Sequence, residues 1–247
     1  MPREEAPQAG RVLVGAGGWD YLDADGDRLR AYARLFSFVE VNATFYHAPR
    51  LSTVRSWRRR VPPGFTFSVK CHRRATHELG LRPCEETYRT LSRMRQVLGL
   101  LRTDMLVIQT PPSLHVDEDR VREADAVLRS SAAGDAQVFW ESRSPSSLEK
   151  TRETRRAMLR AGITPVVDLA REEPVQGSRV TYSRLFGATR FSDGLLDRVA
   201  SKLWVGGSEA AVLTFHGSAM YRDASRFSEL RRWEPHEATR LSLLQHR

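Results

Sequence analysis

The chain has 247 residues, 40% of them hydrophobic and 28% charged, with a formal net charge of +9. That length fits one large α/β domain or two small ones, with enough apolar material for a real core. The absence of any run of about 18 apolar residues excludes a membrane-spanning helix, and MPREEAPQAG at the start lacks the apolar region of a secretion signal, so the expected location is cytoplasmic with no membrane partner.

Cys71 and Cys84 are not in CxxC spacing, which points to two reduced thiols rather than a zinc ribbon or a disulfide framework. A pI near 10.2 makes an acidic partner physically reasonable, either a nucleic acid or an anionic small molecule. The positive charge is carried by 36 Arg against 3 Lys and is scattered. Its densest run, Arg55 to Arg60, falls on an expected surface helix, where a charge run is usually a solvated face.

Residues 1–10 are expected to be flexible. Arg11 to Gly15 then reads as a short buried strand ended by Ala16-Gly17-Gly18 before Trp19. The glycines do not form GxGxxG and no long helix follows at once, which argues against a dinucleotide fold. Asp27 to Phe36 is helical, with Leu29, Tyr32, Ala33 and Phe36 on one face. Phe38 to Pro49 (FVEVNATFYHAP) begins as a strand that puts Glu40 and Asn42 on one side-chain parity, then runs through Phe45 and Tyr46 into a loop. Two polar groups on a core-facing strand need partners, since each unsatisfied one costs on the order of 1–3 kcal/mol.

Leu51 to Arg60 is a helix with Ser52 as its expected N-cap. Phe65 to Cys71 is a strand with Ser68, Lys70 and His72 on one parity, followed by a loop carrying Thr76-His77. A helix at Glu85 to Leu98 leads to a strand at Asp104 to Gln109, stopped by Pro111-Pro112. Asp117 to Ser130 is helical, Gln137 to Glu141 is a strand with Arg143 just beyond, and Ser146 to Ala161 is a helix closed by Gly162. Ile163 to Asp168 is a strand with no convincing helix after it. Arg179 to Gly187 is a strand placing Tyr182, Arg184 and Phe186 on one face, Leu195 to Trp204 is helical, Ala210 to Phe215 is a strand ending at His216, and Ala219 to Trp233 is the last helix.

Eight strands alternating with helices in about 250 residues predict a single-domain (β/α)8 TIM barrel over residues 11–247. An open doubly wound sheet would more often carry fewer strands and a phosphate-binding first turn. In a barrel the ligand end is the C-terminal end of the strands, where this chain gathers Trp19, Glu40, Asn42, Lys70, His72, Gln109, Glu141, Arg143, Asp168, Arg184 and His216. Such a set is either mutually paired or completed by a ligand. Pairing would join Glu141 to Arg143, Asp168 to Arg184 and Lys70 to Glu40. Alternatively, His72, His77 and His216 with Glu40, Glu141 and Asp168 could hold a divalent metal, the nearest candidates being Glu141, Asp168 and His216. Lys70, Arg143 and Arg184 suit an anion. Trp19 could stack on a sugar or base, and Lys70, desolvated beside other cations, could form a Schiff base.

The segments VGAGGWDY, FVEVNATFYHAP, FTFSVKCHRRATH, LVIQTPPS, FWESRSPS and TFHGSAMYRDASRF resemble, in order and spacing, the YecE-like family known as domain of unknown function 72. The resemblance covers nearly the whole chain and implies a TIM barrel distantly related to metal-dependent sugar isomerases and apurinic endonucleases. The matching positions are Gly17, Trp19, Tyr21, Glu40, Asn42, Phe45, Tyr46, Lys70, His77, Gln109, Pro111, Glu141, Arg143 and Tyr221 to Asp223. The sequence departs from the family pattern at His216-Gly217, where two asparagines are usual, at Ser147 in place of an aromatic, and at Phe186 in place of a histidine.

Together these features lead to the expectation of a hydrolase-like enzyme for a phosphorylated or nucleic-acid substrate. Glu40, Lys70, His77 and Glu141 would be catalytic, with Trp19, Asn42, Tyr46, His72, Gln109, Arg143, Arg184 and Tyr221 around the substrate. The alternatives are a non-catalytic nucleotide or nucleic-acid binder, and a closed salt network with no ligand. They are separated by whether the mouth carboxylates are free or neutralised by Arg143 and Arg184.

Overall fold

The computed structural model describes residues 11–231. The stretch 1–10 and Trp233, the expected end of the last helix, lie outside them. The eight strands are β1 (Arg11–Ala16), β2 (Phe38–Val41), β3 (Thr66–Lys70), β4 (Met105–Thr110), β5 (Gln137–Ser142), β6 (Thr164–Val167), β7 (Val180–Phe186) and β8 (Ala210–His216). All are paired in parallel, in the order β1-β8-β7-β6-β5-β4-β3-β2, so each strand neighbours its successor and the sheet curls into a (β/α)8 TIM barrel.

Outside the sheet run α1 (Arg28–Leu35), α2 (Ala43–Tyr46), α3 (Leu51–Arg59), α4 (Glu85–Leu101), α5 (Glu118–Ser130), α6 (Leu148–Arg160), α7 (Asp193–Lys202) and α8 (Met220–Arg231). Four of them begin on a residue whose side chain accepts the free N–H groups of the first turn: Asp27, Asp117, Ser147 and Ser192. Helix α3 does not use Ser52 in this way. It starts at Leu51 behind Arg50, without a side-chain cap, and Ser52 falls inside the first turn. Between β6 and β7 no helix forms, as the sequence suggested.

The period of two along the strands sorts the barrel interior into layers. Leu13, Phe38, Met105, Val107, Phe139, Val166, Tyr182 and Val212 form an apolar plug. A step or two further along the same parities the side chains become polar: Glu40, Lys70, Gln109, Glu141, Arg184 and His216. The larger apolar cluster lies outside the strands, beneath the helices.

Two segments read as loops are helical, namely α2 and a π-helical turn at Arg74–Glu78. As a result Asn42 is not on the strand; it has φ −80° and ψ −22° at the entrance of α2. Thr44 sets this turn, its hydroxyl lying 2.8 Å from the Val41 carbonyl and 2.7 Å from that of Lys70, which ties the ends of β2 and β3 together. His72 is likewise beyond β3, and its Nδ1 accepts the Arg74 N–H at 3.1 Å.

The backbone ladder runs from β1 round to β2 and stops there. A side chain spans the seam: the fully buried Tyr32 hydroxyl accepts the Ala16 N–H at 2.8 Å and donates to the Phe38 carbonyl at 2.8 Å. The strands approach so closely that a Cβ on Gly15 would lie 2.2 Å from the Phe38 oxygen. Tyr32→Phe leaves one donor and one acceptor buried without partners, and urea unfolding is expected to register a loss of about 1–3 kcal/mol. A loss within about 0.5 kcal/mol, the range of an ordinary surface change, would mean that the seam closes without the hydroxyl.

Candidate functional site

The polar layer is organised on Arg184 of β7, which is 2% exposed. Its Nε and Nη2 lie 3.1 and 3.0 Å from Oε1 of Glu40 on β2, and Nη1 donates to Oε2 of Glu141 on β5. Each carboxylate is then completed by other strands. Tyr182 donates to Glu40 Oε2 at 2.9 Å and is itself 2.9 Å from Ser68 Oγ, while Gln109 Nε2 donates to Glu141 Oε2 at 2.9 Å and Arg143 Nε to Oε1 at 2.7 Å. Burial pushes the Glu141 carboxyl up, but Arg184, Arg143 and the hydrogen bonds outweigh it and hold the pKa at about 2. Both carboxylates are therefore neutralised and hydrogen-bonded. The Asp168–Arg184 pair expected from the sequence is not made; Asp168 binds Arg171 at 2.9 Å and the Ala170 N–H.

Lys70 stands apart from this network. It is 6% exposed, and among the described residues no carboxylate lies within 4 Å of its ammonium, so the expected pair with Glu40 is absent. The Nζ instead sits 3.9 Å from the centre of the Phe45 ring. Burial, then Arg184 and Arg143, lower its pKa to about 8 against the opposing pull of Glu40 and Glu141. His77 packs edge-on against the same ring at 4.9 Å and is lowered by burial and then by Lys70 and Arg143, which places these groups around one space.

His216 lies 3.7 Å from Glu40, but burial and then Arg184, Lys70 and Arg143 hold it far below the usual imidazole range, so the contact is that of a neutral ring. Thr214 Oγ1 is 3.0 Å from its Nε2, and Phe186 stacks on it at 4.7 Å. Asn42 Nδ2 donates to the Gly17 carbonyl at 2.9 Å, leaving its buried Oδ1 without a partner. Gly17 fits between Asn42 and His216 only because it lacks a Cβ, which would lie 2.3 Å from the imidazole.

The remaining expected site residues lie elsewhere. Trp19 is buried in the outer core, edge-on to Trp57 at 5.3 Å. Tyr221 packs on Tyr32 behind the β1–β2 seam, its buried hydroxyl without a partner. Burial lowers His72, and the charges about it are those of Glu78, Arg73, His47 and Arg74 outside the polar layer. Tyr46 is 60% exposed at the rim. Sequence reasoning missed Tyr182 as a site residue, although its position two residues before Arg184 on the same strand carried that signal. Both cysteines are free, and Cys71 is buried with its thiol pushed up to about 12.

The three metal candidates do not converge. Glu141 is engaged by two arginines and an amide, Asp168 by Arg171, and among the described residues no group of three or more His, Cys, Asp or Glu is arranged to hold a metal ion. A cation would also have to lie beside Lys70, Arg143 and Arg184. Next to the mouth, where the helix after β6 is missing, a cavity of about 530 Å³ reaches Glu141, Arg143, Arg184 and Phe186 and is lined by Ser142, Ser146 and Thr151 together with Asp168, Arg171 and Glu172.

A family model described as "Protein of unknown function DUF72" matches residues 13–243. The chain belongs to the DUF72 family. Solved structures of similar fold include a DUF72 family protein from Enterococcus faecalis V583 (13% identity, 92% of this chain and 99% of that one, TM-score 0.70). Another is a DUF72 family protein from Thermotoga maritima MSB8 (20% identity, 90% and 99%, TM-score 0.68). The DUF72 barrel also resembles 3-keto-D-glucoside 4-epimerase from E. coli at 10% identity, over 91% of this chain and 100% of that one, with TM-score 0.58. No curated protein matches the sequence.

Two measurements check the electrostatics of the site. Arg184→Met strands two buried carboxylates and is expected to cost about 3–5 kcal/mol in denaturant unfolding; a cost below about 1 kcal/mol would show that other groups satisfy them. For Lys70, the unfolded chain binds more protons than the folded one between about pH 8 and the ordinary value of 10.5. Wild-type stability should therefore rise with pH across that window relative to Lys70→Met, by up to about 1.4 kcal/mol per pH unit. Parallel stability curves would mean that the lysine is not perturbed.

Proposed function

We propose that this DUF72 protein is an enzyme for a small anionic substrate, bound at the C-terminal mouth of the barrel. Lys70 and Arg143 hold the negative charge, and Lys70 exchanges the proton. The observation that carries this reading is a charge imbalance: Glu40 and Glu141 are both engaged by Arg184, and Arg143 shares Glu141, while Lys70 has no carboxylate within ion-pair distance. Lys70 and Arg184 balance the two carboxylates, and Arg143, 42% exposed, brings a third cation to the mouth that an anionic group would compensate.

A lysine with a pKa of about 8 is suited to proton exchange near neutral pH, whereas Glu141, held at about 2, is a poor base there. This argues against hydrolysis driven by a mouth carboxylate, and the scattered donors argue against a metal-activated water. The adjoining cavity, lined by serine, threonine, arginine and acidic residues, is polar enough for the hydroxylated body of a phosphorylated or carboxylated sugar.

A small ligand is favoured over nucleic acid by the surface. Many exposed arginines already face acids, as in Arg89–Glu85, Arg122–Asp119, Arg129–Asp125 and Arg226–Asp193. Pairs of this kind take up part of the basic charge, and the excess of +9 is scattered along the chain rather than gathered in one run that would follow a phosphate backbone.

Calorimetric titration with inorganic phosphate and with phosphorylated sugars tests the reading. Saturable binding is expected for wild type, weakened at least about tenfold, or about 1.4 kcal/mol, in Lys70→Met and Arg143→Gln and unchanged in Arg89→Gln. Equal binding by all four proteins, or none by wild type at millimolar phosphate, would count against the mouth as an anion site.

A further inference from the structure

We infer that Lys70 is a covalent nucleophile, and that the substrate class of the mouth is an anionic carbonyl compound captured as an imine. This deepens the anion-binding reading and rests on it. The inference starts from position. Lys70 closes β3 at the C-terminal end of the barrel, its carbonyl fixed by Thr44, its ammonium lying over the face of Phe45 and turned toward the space shared with His77 and Arg143.

A carboxylate salt bridge would keep the nitrogen protonated and unreactive, and none is made. The neighbours that press most on it are cations, Arg184 and Arg143, the arrangement that frees a lysine for attack on a carbonyl. The other two lysines lack this setting. Lys150 is exposed on α6, and Lys202 binds Glu173 at 2.8 Å and the Glu172 carbonyl at 2.9 Å.

The step balances without any further reagent. The neutral amine adds through its lone pair to the carbonyl carbon, and the carbonyl oxygen takes a proton to give a carbinolamine. Loss of the hydroxyl forms the C=N bond, and the two protons shed by nitrogen leave with the oxygen as one water. Protonation of the imine gives an iminium, a cation that the Phe45 face and the field of Glu40 and Glu141 stabilise as they do the ammonium. Arg143 holds the anionic group. Its Nε is on Glu141, and among the described residues its terminal nitrogens make no hydrogen bond within the chain.

The experiment is reductive trapping on the full chain with cyanoborohydride, using glyoxylate as anionic probe and acetaldehyde as neutral probe, followed by peptide mapping. With only three lysines the readout is unambiguous. Glyoxylate is expected to label Lys70 at least about tenfold faster than Lys150 or Lys202, at a rate rising through about pH 8, because near neutrality a lysine of that pKa is neutral far more often than an ordinary one. Prior addition of phosphate should slow the labelling, and Lys70→Arg should remove it.

Labelling that follows exposure, with Lys150 first, overturns the inference in wild type without recourse to a variant. Phosphate binding with no Lys70 adduct overturns it and leaves the anion site standing. Equal trapping of both probes at Lys70 with no phosphate binding supports the nucleophile and removes the anionic part of the substrate.

Discussion

The barrel depends on one guanidinium. Arg184 reaches from β7 to carboxylates on β2 and β5, and those carboxylates are completed from β4 and β7, with Ser68 of β3 behind Tyr182. The result is a polar layer linking five strands across the barrel axis, directly above an apolar plug. Ions in such surroundings each lose several kcal/mol of hydration, and both oxygens of each carboxylate recover part of it by accepting a hydrogen bond. The planar fork of arginine makes this feasible, since it can face two carboxylates at once where an ammonium offers only a point charge.

That arrangement constrains the chemistry. Glu141, held at about 2 by its arginines and hydrogen bonds, is a weak base, and Glu40 is engaged by Arg184 and Tyr182, so both carboxylates frame the site. The reactive capacity moves to the groups the frame leaves over: a lysine on an aromatic face, a neutral histidine on the same ring, and an arginine half in solvent.

The sequence revealed the strands and their count, because buried parallel strands are near-continuous apolar runs punctuated by glycine and proline. It also placed Glu40, Lys70, Gln109, Glu141 and Arg184 at the ligand end, since in a closed barrel the end of each strand fixes the location of its last inward residue. It did not reveal who pairs with whom. Arg184 pairs with Glu40, 144 residues away, rather than with Asp168 on the neighbouring strand, because barrel tilt and stagger decide which inward residues share a layer. Nor did it reveal α2, four residues long, whose helical turn is fixed by one threonine bridging two strand ends. Trp19 and Tyr221 match the family pattern, but their rings pack outside the strands; matching positions in this family report the seam and the outer core as well as the mouth.

Lys70 and the arginine network form one device rather than two neighbouring features. If Glu40 were not already satisfied by Arg184 and Tyr182, its buried charge would draw on Lys70, and the lysine would then be locked as an ammonium. By taking both carboxylates, Arg184 removes that partner, completes the polar layer and adds its positive charge to the burial that lowers the pKa of the amine. The same reasoning explains why a third cation is present. Arg143 neutralises what is left of Glu141, and it lines the cavity beside the sector where the helix after β6 is missing, its guanidinium 5.3 Å from the Phe186 ring. On the proposed reading the frame is paired within the barrel, and an anionic substrate would answer Lys70 and Arg143 on the open side.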